Sequence, residues 1–474
     1  MLFNRQRLGT ILLFLSDIVI IVTSFLLAVF IRKILPSIIS AVPIFSGRSE
    51  NYYWFFLIWF ATMTYEGGYT KRFTFWDEVK LLWKVTFFST LAILTIVSLG
   101  QLSYDVSRSV ILLMGFLSLG IFPVLRIAVK RQLINAGMLK SRVLVIGTGE
   151  TARRALSALR REHNLGYDVI GFISDEPSNK KHFIDGVKVH GYIHKVERYI
   201  QNSDIQDVVV ATSRIEKDAL FHMVNNLQHK AKSVLYIPDF AGMAVMGTEL
   251  RHFFHDKVFA VEIKNNLAQP VNYYAKKAFD YLMGIMLFLV LIVPFLLISI
   301  LVKLTSKGPA IFKQERIGQN GRAFMCYKFR TMYNDADDRL KTILITDPEA
   351  RAEWEAHWKL KNDPRTTKIG NFLRKTSLDE LPQIFNVLRG EMSLVGPRPV
   401  TQDEIEKYYK DNAELCFCVP PGITGLWQVS GRSNTTYEER VSLDSWYVRN
   451  WNLWLDIVIL MKTFYVVFNK DGAQ

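Results

Sequence analysis

The chain has 474 residues, of which 50% are hydrophobic and 13% aromatic, with a charged fraction of 22% and a formal net charge of +14. Its length exceeds what one compact domain usually holds, and so apolar a composition beside an ordinary charged fraction argues against a wholly soluble enzyme and for membrane segments joined to soluble domains. A basic balance suits nucleic acid, anionic lipid or phosphorylated ligands, but no zinc-finger, RNP or long basic-run signature favours nucleic acid.

Arg5 and Arg7 precede an apolar run from Leu8 to Ile31, interrupted by Asp17. Further runs cover Tyr52 to Tyr65, Val85 to Leu99 and Val110 to Ile127. Each is near the length that crosses a bilayer, the second and third being short by themselves. Four transmembrane helices are therefore expected within residues 1–132. No small-residue cleavage site follows the first run, which reads as a retained anchor. Asp17 is expected to face the bundle interior or the interface. Lys71, Arg72, Lys80 and Lys84 lie between the second and third runs, and Arg126, Lys130, Arg131, Lys140 and Arg142 close the fourth. The positive-inside rule then puts the N-terminus and everything after Lys130 in the cytoplasm.

An apolar strand, Val143 to Ile146, runs into Gly147-Thr148-Gly149-Glu150-Thr151-Ala152 and a helical stretch ending near Arg161. Strands at Asp168 to Ile173, Gln206 to Ala211 and Ser233 to Ile237 alternate with helical patterns, which predicts a Rossmann-like parallel sheet over residues 141–262. Gly147 and Gly149 suit a nucleotide phosphate at a helix N-terminus, and Asp175 sits where a ribose-binding acid belongs. The same glycines permit close helix–strand packing with no ligand. No Tyr-x-x-x-Lys pair of sugar-nucleotide epimerase chemistry is present, so the unit reads as structural or regulatory.

Residues 265–272 read as a linker, followed by an apolar stretch over about 279–304 that contains Pro294. Four crossings leave Lys130 inside. A fifth would carry Lys307, Lys313 and the rest of the chain outside. The expectation is a helix broken at the proline that dips into one leaflet and returns, a re-entrant membrane helix. Trp446, Tyr447, Trp451 and Trp454 and the amphipathic run Leu453 to Phe468 favour a lipid–water interface, with core packing the other reading of any one tryptophan. Cys326, Cys416 and Cys418 are an odd count without metal-ligand spacing and read as reduced thiols. His252 and His255 read as a surface pair.

Four clusters carry basic or acidic groups beside small residues: Tyr327-Lys328-Phe329-Arg330-Thr331-Met332, Arg374 to Gln383, Gly396-Pro397-Arg398-Pro399, and Pro421 to Arg432. Lys328, Arg330, Arg374, Arg398 and Arg432 are the candidate phosphate contacts, because arginine forks grip phosphate oxygens bidentately and lysine serves as a point charge. The adjacent acids Asp379 and Glu380 are costly together unless a cation offsets them. Mg²⁺, which prefers carboxylate and phosphate oxygens, is the expected cofactor, bridging the pair and a diphosphate. Ser377-x-x-Glu380 also matches a capping box, and Asp379 could itself cap a helix.

The stretches K-F-R-T-M, T-S-L-D-E-L-P-Q, G-P-R-P and P-G-I-T-G-L-W-Q-V-S-G-R resemble the bacterial sugar transferases, specifically the polyprenyl-phosphate hexose-1-phosphate transferases, from about Lys276 to the C-terminus. The N-terminal half resembles the long form of that family. The resemblance implies a multi-pass protein of the bacterial inner membrane. It carries a four-helix bundle, a cytoplasmic Rossmann-like domain and, over residues 263–474, a re-entrant helix with a mostly α-helical monotopic catalytic domain. Asp379 would attack the sugar-bearing phosphorus of a UDP-sugar and expel UMP, and undecaprenyl phosphate would then attack the aspartyl ester, with Glu380 assisting or helping to hold Mg²⁺. The long forms also suggest a homodimer. The segment Asp347 to Trp354 is most similar to galactose-1-phosphate transferases of O-antigen synthesis; UDP-glucose is the alternative donor. A membrane NAD(P)-dependent sugar-nucleotide dehydratase or epimerase, motivated by G-x-G-x-x-A, is the alternative class.

Overall fold

Apolar runs removed from water must satisfy their backbone hydrogen bonds internally, and here each folds as a helix. The computed structural model describes residues 2–38, 53–100, 107–175, 183–193, 204–212, 217–228, 231–238, 249–253, 258–262, 266–349, 363–431 and 435–469, with isolated positions between. Arg432, His255 and part of the 347–354 segment lie outside the described residues. The chain divides into two compact units, residues 1–239 and 240–474.

In the first unit, α1 (Leu2–Ile38), α2 (Tyr53–Tyr65), α3 (Phe75–Leu99) and α4 (Arg108–Asn135) extend the predicted runs. Helix α3 begins ten residues before its apolar run, where Thr74 caps it by accepting from the Asp77 amide. Helices α1, α3 and α4 are long and apolar enough to cross a membrane; α2 is shorter. Their shared core holds Ile21, Phe55, Trp59, Met63, Leu82 and Phe122. Asp17 faces this interior. It is fully buried and pairs with Arg126, whose Nε also donates to Glu78 at 3.0 Å and whose Nη2 donates to the Gly68 carbonyl at 2.8 Å. Lys130 completes the set on the other Glu78 oxygen at 2.5 Å.

The sheet of the first unit has the order β3-β4-β2-β1-β5-β6, formed by β1 (Ser141–Ile146), β2 (Tyr167–Ser174), β3 (Phe183–Ile184), β4 (Val187–Tyr192), β5 (Asp207–Val210) and β6 (Ser233–Tyr236). All neighbours pair in parallel except β3 with β4. Helices α5 (Glu150–Arg161) and α6 (Lys217–Gln228) provide connections. The sheet domain stops earlier than residue 262: β7 (Glu249–Phe253) and β8 (Val258–Glu262) form a separate antiparallel ribbon that belongs to the second unit.

In the second unit the ribbon is followed by α7 (Pro270–Thr305), a helix of 36 residues, about 54 Å long. The helix is not interrupted at Pro294 but runs through it, since a proline removes one donor and can bend a helix without ending it. Its apolar surface is largely exposed, with Leu282, Leu289 and Val290 among the most open side chains. Its N-terminal part is tied by polar contacts. Lys276 donates to Asp456 at 2.8 Å and to the Val395 carbonyl at 3.1 Å, while Asp280 accepts from Ser393 Oγ at 2.7 Å. Further along, Phe288 and Phe295 both pack on Phe385, and Val302 joins Phe329 and Leu373.

A hairpin of β9 (Ile311–Ile317) and β10 (Ala323–Phe329) follows, then α8 (Ala336–Thr346), α9 (Lys368–Thr376), a 3-10 turn Leu378–Gln383 and α10 (Ile384–Leu388). Strand β11 (Ser393–Val395) pairs in parallel with β12 (Gly422–Thr424). Helices α11 (Tyr437–Arg449) and α12 (Leu453–Asn469) close the unit. Tyr447 and Trp451 are core residues, not interfacial ones, because each donates a hydrogen bond to the buried Asp456, at 2.7 and 3.0 Å. The exposed apolar surface of α12 instead comes from Met461, Phe464 and Tyr465.

Candidate active site

The acid pair sits between two helices, not at the start of one. Ser377, at φ +56, ends α9 in the left-handed region, and its side chain makes no cap to the turn that follows. The capping box expected at Ser377 and Glu380 is therefore absent. Glu380 reaches instead toward β10 and the chain after β11, where one of its oxygens accepts from Lys328 Nζ at 2.7 Å and Arg398 Nη2 at 3.2 Å.

Arg398 is delivered there by backbone packing. Gly396 donates to the Thr424 carbonyl at 2.9 Å and Gly422 to the Pro397 carbonyl at 2.8 Å. A Cβ on Gly396 would lie 2.6 Å from the Pro420 carbonyl, so the two glycine–proline motifs interlock only because neither strand end carries a side chain.

The two neighbouring carboxylates end in opposite states. Burial alone would raise Glu380, but Arg398 and Lys328 prevail and hold it at about 2. Asp379 makes no hydrogen bond or ion pair among the described residues. Burial first, and then the Glu380 charge, push its carboxyl up to about 6 against the pull of Lys328, Arg374 and Arg398. Arg374, in the last turn of α9, donates to Thr331 Oγ1 at 3.0 Å and acts on Asp379 through its field.

Of the remaining sequence candidates, Arg330 is not brought into this cluster. It is buried, with its guanidinium on the Ser306 carbonyl at 2.8 Å and Asn334 at 3.0 Å, where it fastens the end of α7 to the hairpin. The structure adds residues that the sequence reading passed over. Glu404 accepts from Arg316 at 3.1 Å and Tyr437 at 3.0 Å, and its charge also acts on Arg398. Its sequence signal was the Thr401-x-x-Glu404 capping box, which forms here.

No group of three or more His, Cys, Asp or Glu side chains suited to a metal occurs among the described residues. The residues do fit a Mg²⁺ that takes the open Asp379 carboxylate and completes its shell with phosphate oxygens and water, as this ion commonly does. Glu380, already held by two cations, is a poorer ligand than expected.

In the first unit, Gly147 has φ +119, and a Cβ there would meet the Ala211 carbonyl at 2.2 Å. A Cβ on Gly149 would meet open space. Asp175 accepts from the Thr148 amide at 3.2 Å, Thr148 Oγ1 at 3.1 Å and Thr212 Oγ1 at 2.6 Å. An acid of the chain itself thus occupies the turn where a nucleotide phosphate was expected, and Glu150 adds a second negative charge at the start of α5.

The sequence profile of the bacterial sugar transferases matches residues 271–470, and that of a CoA-binding domain matches residues 54–238. The chain is similar to the UDP-galactose-lipid carrier transferase of Erwinia amylovora, with 41% identity over 405 residues, 85% of this chain and 84% of that protein. It is similar to the undecaprenyl-phosphate galactose phosphotransferase of Salmonella typhimurium, with 40% identity over 410 residues, again 85% and 84%. The UDP-glucose:undecaprenyl-phosphate glucose-1-phosphate transferase of Klebsiella pneumoniae is 32% identical over 432 residues, 86% of each chain.

Proposed function

The chain belongs to the bacterial sugar transferase family, and from that premise we propose that it transfers galactose-1-phosphate from UDP-galactose to undecaprenyl phosphate. The observation that carries the reading is the asymmetry of the acid pair: Glu380 is neutralised by Lys328 and Arg398, while Asp379 beside it has no hydrogen-bonded partner among the described residues.

An ionised Asp379 oxygen attacks the sugar-bearing phosphorus of the donor. The new O–P bond forms as the bond to the bridging oxygen breaks, and the electron pair leaves with UMP. An oxygen of the lipid phosphate then attacks the same phosphorus, breaking the aspartyl ester and returning Asp379 as a carboxylate. Lys328, Arg374 and Arg398 hold the phosphate oxygens and offset their charge, which is where most acceleration arises in phosphoryl transfer. Mg²⁺, held by Asp379 and substrate oxygens, would supply further charge neutralisation at the diphosphate.

Helix α7 brings the lipid phosphate to this site. Residues near both of its ends, Lys276 and Val302, pack on one catalytic body. That supports a re-entrant arrangement over a full crossing, with the sheet domain and the catalytic domain both on the cytoplasmic face of the inner membrane. Galactose is favoured over glucose because the relatives named for galactose are the more similar. The family match favours this reaction over that of an NAD(P)-dependent dehydratase or epimerase. The test is mass spectrometry of enzyme mixed with UDP-galactose alone. A hexose-phosphate adduct on Asp379 with stoichiometric UMP is expected. UMP appearing only after lipid is added would overturn the mechanism.

A further inference from the structure

A second cationic surface lies on the opposite face of β10 from the catalytic pair. Tyr327 and Lys328 are adjacent in the strand, so their side chains point to opposite faces. Lys328 goes inward to Glu380. Tyr327 goes outward, with its hydroxyl on Arg389, the Arg389 guanidinium 5.1 Å from its ring centroid and Lys313 Nζ at 5.8 Å. The patch continues onto α7. A Cβ on Gly390, next to Arg389, would lie 2.9 Å from the Tyr281 hydroxyl, and Lys277 Nζ lies 6.0 Å from the Tyr281 ring. Lys277, Lys313 and Arg389 are all exposed. Among the described residues, none of the three forms an ion pair with a carboxylate.

The height of this patch is set by α7. Beyond Tyr281 the exposed side chains of α7 are all apolar as far as Leu301, with Leu282 at 70% exposure and Leu289 at 64%. Lysine followed by tyrosine at the start of such a run marks the boundary between water and hydrocarbon. Three cations interleaved with two tyrosines at that level complement the phosphodiester of an anionic glycerophospholipid. Arginine forks its oxygens, and lysines act as point charges.

We infer that Lys277, Lys313 and Arg389, with Tyr281 and Tyr327, form a headgroup site for an anionic phospholipid beside the point where α7 enters the bilayer. The patch and the catalytic pair share the basic chemistry of phosphate recognition. The outward direction of Tyr327 separates them, so the occupant is a structural lipid and not the acceptor. Its role is to hold β10, and with it Lys328, at a constant depth.

The test uses the full chain in nanodiscs of phosphatidylethanolamine with or without phosphatidylglycerol, followed by native mass spectrometry of the lipids retained after mild detergent extraction. Wild type should retain phosphatidylglycerol over phosphatidylethanolamine on the order of tenfold. The K277Q/K313Q/R389Q variant should lose that preference, while K277R/K313R keeps it. Transfer by the glutamine variant in a zwitterionic bilayer should stay within about twofold of wild type, as expected of surface changes outside the site. An unchanged preference in the glutamine variant would overturn the site. Displacement of phosphatidylglycerol by equimolar undecaprenyl phosphate would overturn the choice of occupant. Lipid retention is read without donor or turnover, so it is independent of the proposed reaction.

Discussion

In the helical bundle, Asp17 and Glu78 meet Arg126 and Lys130, and each carboxylate ends in an ion pair. In the catalytic domain, Glu380 takes both Lys328 and Arg398, and Asp379 is left without a hydrogen-bonded partner among the described residues. The ingredients are alike: two acids and cations on other elements. The difference lies in how the pairs close. A closed set of buried charges mainly fixes which elements meet, since desolvation offsets much of the Coulombic gain. An open carboxylate beside cations already bonded elsewhere is a poor contributor to stability, and it is what the proposed covalent step requires.

Substituting Asp379→Asn should separate the two clusters most sharply. Transfer of labelled sugar phosphate to lipid should fall by at least about 10³-fold, because a covalent step is lost. The fold should not suffer. Burial lifts this carboxyl from 3.8 to about 6, so its ionisation destabilises the folded state above pH 3.8 and most fully above pH 6. At pH 7 the variant should melt at the same temperature as wild type or higher, and a lower melting temperature would break the contrast.

The mirror experiment is Arg126→Leu. It strands Asp17 as a buried charge and leaves Glu78 with Lys130 alone, and should destabilise the first unit by about 3–5 kcal/mol, read as a thermal shift in detergent. Replacing all three charges by neutral residues of similar volume should recover most of that loss.

Glu380→Gln probes the linkage between the two acids. Removing its charge frees Lys328 and Arg398 and takes away a repulsion, so the Asp379 carboxyl should titrate lower. Transfer should fall by roughly 10²-fold through lost positioning. The acid limb of the pH–rate profile should also move. In wild type the rate should drop about tenfold per pH unit below about 6 as Asp379 takes up a proton, Glu380 remaining ionised down to about 2. In the variant that limb should lie at lower pH, and an unmoved limb would assign it to another group.

The smallest effect belongs to Asp175→Ala. It removes three hydrogen bonds from the glycine turn and should cost the first unit about 1–3 kcal/mol in thermal or chemical unfolding. Transfer should change little. A gain of NAD(P) or CoA binding, measured by calorimetry, would sharpen the view that this acid occupies the turn.

Much of the fold was legible in the chain. The apolar runs, the parallel strands and the buried position of Asp17 follow from hydropathy, periodicity and the cost of a charge in an apolar bundle. The failures share a cause. Ser377-x-x-Glu380 matches a capping box by local spacing, yet Glu380 is drawn away by Lys328, 52 residues earlier. Trp451 carries an interfacial residue type, yet Asp456 and Lys276 turn it into the core. Arg330 lies two residues after Lys328, just past the end of β10, and was grouped with it, but the end of α7 takes its guanidinium.

The amino-acid sequence by itself determined that this chain joins apolar helices long enough for a membrane to a parallel sheet and to a domain with an acid pair and several arginines in short motifs. Those properties reside in composition and in spacings of a few residues. Only the tertiary structure decided which acid is neutralised, which arginines reach it and which carboxylate is left open. Charge pairing is set by distances of a few ångströms between β10, the 378–383 turn and the chain after β11, and only the packing of distant segments brings those together.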